Sequence, residues 1–234
     1  MDAVILAAGL GTRLRPYTLQ IPKPLLLVQG RPILDWGLAA LPEEVDRVIV
    51  VVHYLADQIR HYLSTQSHFQ QWCAVEQEHP RGTGDALRVC QKQIRSKKFL
   101  VLNGDDLFGA ADLKKLAQTP AGVLVHPVAD PKQFGIVFPG DDGTLQRLEE
   151  KPDLAGRHLA NTGAYVFPQS VFDIDIGLSR RGEYEITDYL AALARREPVS
   201  VVQADFWLPI GTIEAWQNAQ HRDLRPLVTS QRCA

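Results

Sequence analysis

The residues best suited to chemistry lie in Leu6–Leu25, LAAGLGTRLRPYTLQIPKPL. Gly9-Leu10-Gly11-Thr12 follows a short apolar run, Ala3–Leu6, which reads as a strand. Two glycines this close admit positive φ and let a ligand reach the main chain. Successive N–H groups in such a turn form a concave nest for anions. Arg13, Arg15 and Lys23 follow in the same stretch, and Pro16, Pro22 and Pro24 restrict φ around Lys23, which predicts an extended, low-entropy segment. A neutral nest with converging cations describes a polyphosphate site. Gly9-x-Gly11 alone is weak, because a plain glycine turn between strand and helix gives the same pattern. No G-x-x-x-x-G-K-[ST] string occurs, and Leu14 stands where a dinucleotide fingerprint needs a small residue.

The elements that must hold this loop alternate in the first half. A helix is expected from Pro32 to about Leu41, a β-branched strand at Val48–Val52 and a helix over Ala56–Leu63. A strand near Cys73–Gln77, a helix from a Thr83 cap to about Ile94 and a strand at Phe99–Leu102 follow. Strands separated by helices imply parallel pairing with helices on both faces, and ligands at the strands' carboxyl ends. The glycine loop, Gln77–Thr83 and Asp105 of Asn103-Gly104-Asp105-Asp106 all fall at those ends. In the second half, short strands at Val123–Pro127, Ile136–Pro139, Leu145–Glu150 and Ala164–Phe167 have few helices between them, with Asp141-Asp142-Gly143 as a hairpin turn. A helix over Thr187–Arg196, a strand at Val199–Gln203 and a helix from Ile213 to His221 complete the reading.

The string G-x-G-T-R-L-x-P-x-T-x-x-x-P-K-P resembles, residue for residue, the signature of the sugar-1-phosphate nucleotidyltransferases, the nucleoside-diphosphate-sugar pyrophosphorylases. The resemblance implies an α/β fold: a Rossmann-like, mainly parallel twisted sheet with helices on both faces, plus a small mixed β sugar-binding subregion. Residues 1–222 would be a single nucleotidyltransferase domain, 1–120 binding nucleotide and 121–222 the sugar phosphate, with 223–234 as a loosely attached tail. The implied reaction joins a nucleoside triphosphate, UTP or dTTP by preference, to a sugar 1-phosphate and releases pyrophosphate. Arg13 would hold the β- and γ-phosphates, Lys23 would sit near the α-phosphate, and Leu6, Ala8, Gly9, Gly11 and Thr12 would line the nucleotide. Gln77, Gly82 and Thr83 belong to a string that in the family clasps uracil or thymine, Gln77 offering a donor and an acceptor. Asp105 resembles the family's Mg²⁺ ligand, a role that suits a hard oxygen donor, while Asp106 reads as a supporting or helix-capping acid. Sugar-side contacts would come from Gly135, from Glu150 and Lys151 of the E-K-P string, from Asn161 of N-x-G, and from Thr187 of EYEITDYL; a helix start explains Thr187 equally well.

One position departs from the family. Trp207-Leu208-Pro209-Ile210-Gly211-Thr212 stands where W-x-D-[IV]-G-T is common, so Pro209 replaces the second metal carboxylate. Asp205 would lie on the order of 13 Å away along an extended chain, too far to substitute. The departure keeps open a non-catalytic, nucleotide-sugar-binding regulatory relative, and a phosphocholine cytidylyltransferase is the alternative on substrate. Other chemistries are poorly supported. The seven histidines show no H-x-x-x-H, there is no G-x-S-x-G, and Trp36, Trp72 and Trp216 read as core or subunit-interface residues.

The bulk properties fit this reading. The 234 residues carry a formal charge of −2, which points to neither nucleic acid nor a membrane surface. Cys73, Cys90 and Cys233 are odd in number and widely spaced, as expected of reduced thiols in a cytoplasmic protein. No leader-like or membrane-spanning apolar run is present. Nothing resembles the left-handed β-helical acyltransferase domain of some family members, so a monofunctional protein is expected, with a homo-oligomer left open.

Overall fold

The computed structural model describes residues 1–228. In chain order, β1 (Asp2–Leu6) leads through the glycine loop to a small hairpin, β2 (Leu27–Val28) and β3 (Arg31–Pro32), and to α1 (Ile33–Ala40). Then come β4 (Arg47–Val52), α2 (Ala56–Thr65), β5 (Trp72–Glu76), α3 (Thr83–Arg88), β6 (Lys98–Asn103), β7 (Asp106–Phe108) and α4 (Ala110–Ala117). The second half supplies β8 (Gly122–Val128), β9 (Gly135–Pro139), β10 (Leu145–Glu150), β11 (His158–Pro168), α5 (Ile186–Ala194), β12 (Ser200–Gln203), β13 (Trp207–Pro209) and α6 (Ile213–Ala219).

One nine-stranded sheet runs through the molecule in the order β10-β9-β11-β6-β1-β4-β5, with β8 paired to β11 and β12 to β8. β5, β4, β1 and β6 pair in parallel, as the α/β alternation requires. Their side chains alternate between two apolar layers: Val48, Val50 and Val52 enter one, Ile49 and Val51 the other. This period of two with both faces covered accounts for the uninterrupted β-branched runs. β8 to β12 of the second half continue this same sheet, largely antiparallel, while β13 pairs with β7 in a separate two-stranded sheet.

β11 joins the two regimes. Residues 164–168 border β6, whereas Leu159 and Ala160 border β9. Its pairing with β8 slips between Asn161 and Tyr165, so the strand bulges there. Gly163 makes the bulge possible: its φ is +83°, and a Cβ on it would lie 2.0 Å from Nδ2 of Asn103. The sequence predicted only Ala164–Phe167 of this strand, because the bulge breaks its alternation.

Three further expectations change. The helix expected to reach Ile94 ends at Arg88 and continues as single turns to Ile94. Thr83 does not cap it, since Gly82 holds the cap position and the Thr83 hydroxyl accepts from the Ile186 N–H of α5 (3.0 Å). Residues 223–228 are not loose: Leu224 and Leu227 are buried with Ile33, Trp36, Leu107 and Ile210 in a third apolar cluster. Cys233 and the rest of the expected tail, 229–234, lie outside the described residues. The Asp141–Gly143 turn forms as expected, with Asp142 accepting from the Thr144 N–H and hydroxyl. No helix among the described residues is long and apolar enough to cross a membrane.

Candidate active site

A cavity of about 450 Å³ opens at the carboxyl ends of β1 and β6. Its walls contain Leu6, Ala8, Gly9, Gly11, Thr12, Arg13, Lys23, Gln77, Gly82, Thr83 and Asp105. Residues from three distant stretches therefore meet there. Arg15, one of the three cations of the glycine stretch, is not among the lining residues.

The loop is shaped chiefly by Gly11. It sits at φ +62°, its carbonyl accepts from the Thr18 hydroxyl (2.7 Å), and a Cβ on it would lie 2.9 Å from Thr18 Cγ2. Gly9 is different, because a Cβ there meets nothing within 4 Å. Its bareness leaves space toward the cavity and is not needed for packing. Thr12–Leu14 then forms a single 3-10 turn that buries Leu14 and leaves Arg13 exposed. The Arg13 guanidinium rests over Gly211, where an added methyl would just touch it at 3.5 Å.

Lys23 is not extended as the prolines suggested. Pro22 is extended, but Lys23–Leu25 forms a further 3-10 turn, with Pro24 inside it at a position that needs no N–H. The turn carries Lys23 inward, where its Nζ reaches Oδ2 of Asp105 at 2.6 Å. The lysine side chain is 7% exposed and the aspartate 38%, so the pair opens onto the cavity through Asp105.

Asp106 caps no helix, since Gly109 holds the cap position of α4. It accepts from the Ile210 N–H and the Trp207 indole, both at 3.3 Å, and so ties β7 to β13. Burial, with the neighbouring Asp105 charge second, pushes its carboxyl pKa up to about 8. In this ladder Pro209 lies directly opposite Asp106, beside the Asp105 end of the cavity. Asp205 is elsewhere: it pairs with Lys115 (2.9 Å), its side chain is mostly exposed, and its N–H is held by Asp112. Among the described residues no group of three or more His, Cys, Asp or Glu side chains is placed to hold a metal ion.

Gly82 and Gln77 are more constrained than their sequence reading implied. Gly82 has φ +106°, and a Cβ on it would lie 2.4 Å from the Tyr184 carbonyl. The glycine is therefore demanded by packing against residues 183–184, whatever approaches from the cavity. The Tyr184 N–H donates to Arg81 O and the Gly84 N–H to Tyr184 O, both at 2.8 Å, so this loop is clamped to the segment leading into α5. Gln77 is almost fully buried, and its Nε2 already donates to Gly82 O (3.1 Å) and Asp85 Oδ2 (2.9 Å). The donor expected for a ligand is thus engaged, and Oε1 is what remains.

The residues expected on the sugar side do not line the cavity. Gly135 and Glu150 are cross-strand partners, and a Cβ on Gly135 would lie 3.0 Å from Glu150 Oε2 and 3.9 Å from Asn161 Cβ. These three form one group at the β11 bulge. Asn161 spends its amide locally, donating to the Tyr165 hydroxyl (2.7 Å) and accepting from the Gly163 N–H (3.1 Å). Lys151 is exposed at φ +46°, a left-handed conformation that costs a non-glycine residue about 1–3 kcal/mol. Thr187 is the second residue of α5. Sequence reasoning missed Asn103 and Glu183, which line the cavity, and Asp85 beneath Gln77. Glu183 opens the EYEITDYL string, so a signal existed; nothing in the sequence singled out Asp85.

A sequence profile described as nucleotidyl transferase matches residues 2–225. The chain belongs to the nucleotidyl transferase family, within its sugar-1-phosphate branch. It is 33% identical over 214 residues to the bifunctional protein GlmU of Methanocaldococcus jannaschii, a match that covers 90% of this chain and 51% of that protein. The chain thus spans about half the length of that relative. It is 32% identical over 232 residues to a glucose-1-phosphate thymidylyltransferase of Mycolicibacterium smegmatis, covering 94% of this chain and 81% of the relative. The fold matches that of a UDP-glucose pyrophosphorylase solved with UDP-glucose, with a TM-score of 0.83 at 22% identity over 94% of this chain and 97% of the other.

Proposed function

We propose that this chain transfers a nucleoside monophosphate from a nucleoside triphosphate, UTP or dTTP by preference, to a sugar 1-phosphate, releasing pyrophosphate. The observation that carries this is the convergence of the Gly11 loop, Arg13, Lys23, Gln77 and Asp105 on one cavity. The attacking phosphate oxygen is already an anion, so the reaction needs no general base. The described residues lining the cavity supply the cations Arg13 and Lys23, the amides of Gln77 and Asn103, and the carboxylates of Asp105 and Glu183. Catalysis by such a site is positioning and neutralisation of crowded negative charge. Arg13, exposed and braced on Gly211, holds the β- and γ-phosphates and stabilises the departing pyrophosphate. Lys23 meets the α-phosphate and the incoming sugar phosphate. Gly135, Glu150, Lys151, Asn161 and Thr187 receive the sugar phosphate, which extends the site from 1–120 into 121–222.

The donor set fits Mg²⁺ in its sparing mode of binding, with one or two protein carboxylates, phosphate oxygens and water. Asp105 would hold it, being a partly exposed carboxylate on the cavity wall. The ion would supply neutralisation of phosphate charge. With Pro209 in place of a second carboxylate, Asp105 would be the protein's one carboxylate ligand, and the substrates' phosphates would have to supply the other charged ligands. The Pro209 departure also supports a second reading, a regulatory relative that binds nucleotide sugars without turning them over. A panel of sugar 1-phosphates against UTP, dTTP, CTP, ATP and GTP, scored for pyrophosphate, decides between the two. Pyrophosphate with UTP or dTTP is expected. None with any pair, alongside tight nucleotide-sugar binding, establishes the regulatory reading.

A further inference from the structure

Below the cavity, three side chains form a relay that the phosphate chemistry does not use. Gln77 is 3% exposed and Asp85 5%. The two amide hydrogens of Gln77 go to Gly82 O (3.1 Å) and to Asp85 Oδ2 (2.9 Å). The other carboxylate oxygen, Oδ1, takes the Arg81 guanidinium at 2.7 Å, and that guanidinium lies over the Tyr184 ring. A carbonyl and a carboxylate can only accept. Between them they fix the amide with Nε2 inward, and Oε1 is the atom left for a ligand. A hydroxyl, imidazole or amide at position 85 could donate as well as accept, and the longer bond to Gly82 O (3.1 Å) alone would then favour this orientation of the Gln77 amide.

A purely structural account of Asp85 is weak. The Arg81 side chain is 59% exposed, and pairs with exposed partners contribute little stability, whereas burying a carboxylate is costly. What the buried charge does achieve is orientation and polarisation of the Gln77 amide on the cavity wall, since a strong acceptor on Nε2–H makes the amide oxygen a better acceptor in turn.

We propose that Asp85 is the positioning residue that sets base selection: by holding Gln77 Nε2 it presents Oε1 to the base, so the cavity accepts a base edge carrying a ring N–H. This rests on the reading that Gln77 meets the base. Uracil and thymine carry that N–H at N3, whereas cytosine presents a lone pair there, which opposes Oε1. Leaving one buried polar group unpaired in this way costs about ten- to a hundredfold in affinity.

The test is calorimetric titration of the full chain with MgUTP and MgCTP, reading the ratio of the two dissociation constants. The native protein favours UTP at least tenfold, and Asp85→Asn and Asp85→Ser each reduce the preference to about threefold or less. A merely structural role weakens both nucleotides alike and keeps the ratio. If Gln77→Ala abolishes the preference while both Asp85 variants retain it, the role given to Asp85 is overturned and the base reading stands. If Gln77→Ala keeps the preference, the base reading fails and this inference with it. N3-methyl-UTP probes the native protein directly: binding as weak as that of CTP supports the proposal, and binding equal to UTP refutes it whatever the variants do.

Discussion

At the amino ends of the parallel strands, Asp2 accepts from Arg47 Nε (2.9 Å), from the Arg95 and Ser96 N–H groups, and from the Ser96 hydroxyl. At their carboxyl ends, Asp105 meets Lys23 at 2.6 Å, with 38% of its side chain still open. Both are lysine- or arginine-to-aspartate pairs with a nearly buried cation, yet one is closed and the other unfinished. The Asp2 side chain is 6% exposed, and its oxygens are saturated by the protein itself. Fixed dipoles there have nothing further to bind, so the pair serves stability. Asp105 retains capacity on the wall of a cavity, as the proposed uptake of phosphates and a cation would require. The difference follows from topology, since strand carboxyl ends in such sheets diverge into loops and leave a crevice.

The largest effect expected is at the open pair. Asp105→Asn keeps an acceptor for Lys23 but removes the charge, and turnover should fall about a hundred- to a thousandfold, the scale of a lost electrostatic contact at a phosphoryl centre. Its melting temperature should stay within a few degrees of the native value. An active Asp105→Asn variant would sink the account of the metal.

The closed pair should respond the other way. Asp2→Asn is expected to cost about 2–3 kcal/mol of stability, measured by chemical denaturation at pH 7, with turnover at 25 °C preserved. Burial alone would raise the Asp2 carboxyl pKa. The hydrogen bonds from Arg47, Ser96 and Arg95 outweigh it and hold the group at about 2, against an ordinary 3.8. Its contribution is therefore fully present above the unfolded value and is lost as pH falls from about 4 to about 2. The stability gap between native protein and Asp2→Asn should close over that window. A gap independent of pH would show that the damage is steric.

The smallest effect sharpens the contrast from outside both pairs. Asp205 is 83% exposed against a half-exposed Lys115, so Asp205→Ala should shift stability by no more than about 0.5 kcal/mol and leave turnover unchanged. If it proved as inactive as Asp105→Asn, the segment leading to Pro209 would have to approach the metal by a path other than the β7–β13 ladder.

The sequence by itself determined the parallel strands and the cavity's main wall. Val48–Val52 must be buried on both faces, and the glycine stretch, Gln77 and Asp105 fall at strand ends by chain order alone, so periodicity and connectivity suffice. The expectation for Asp205 assumed an extended chain, and what the structure adds is that this carboxylate is paired with Lys115. Only the tertiary structure decided that Lys23 turns inward onto Asp105, that Gly82 is bare because the Tyr184 carbonyl lies against it, and that Leu224 and Leu227 close the core. It likewise decided that β11 bulges over Asn103 and that the donors of Gln77 are consumed by Gly82 and Asp85. Each of these depends on which groups, often a hundred residues apart, occupy the same few ångströms. Hydrogen-bond capacity and volume are settled by those neighbours and leave no periodic trace in the chain.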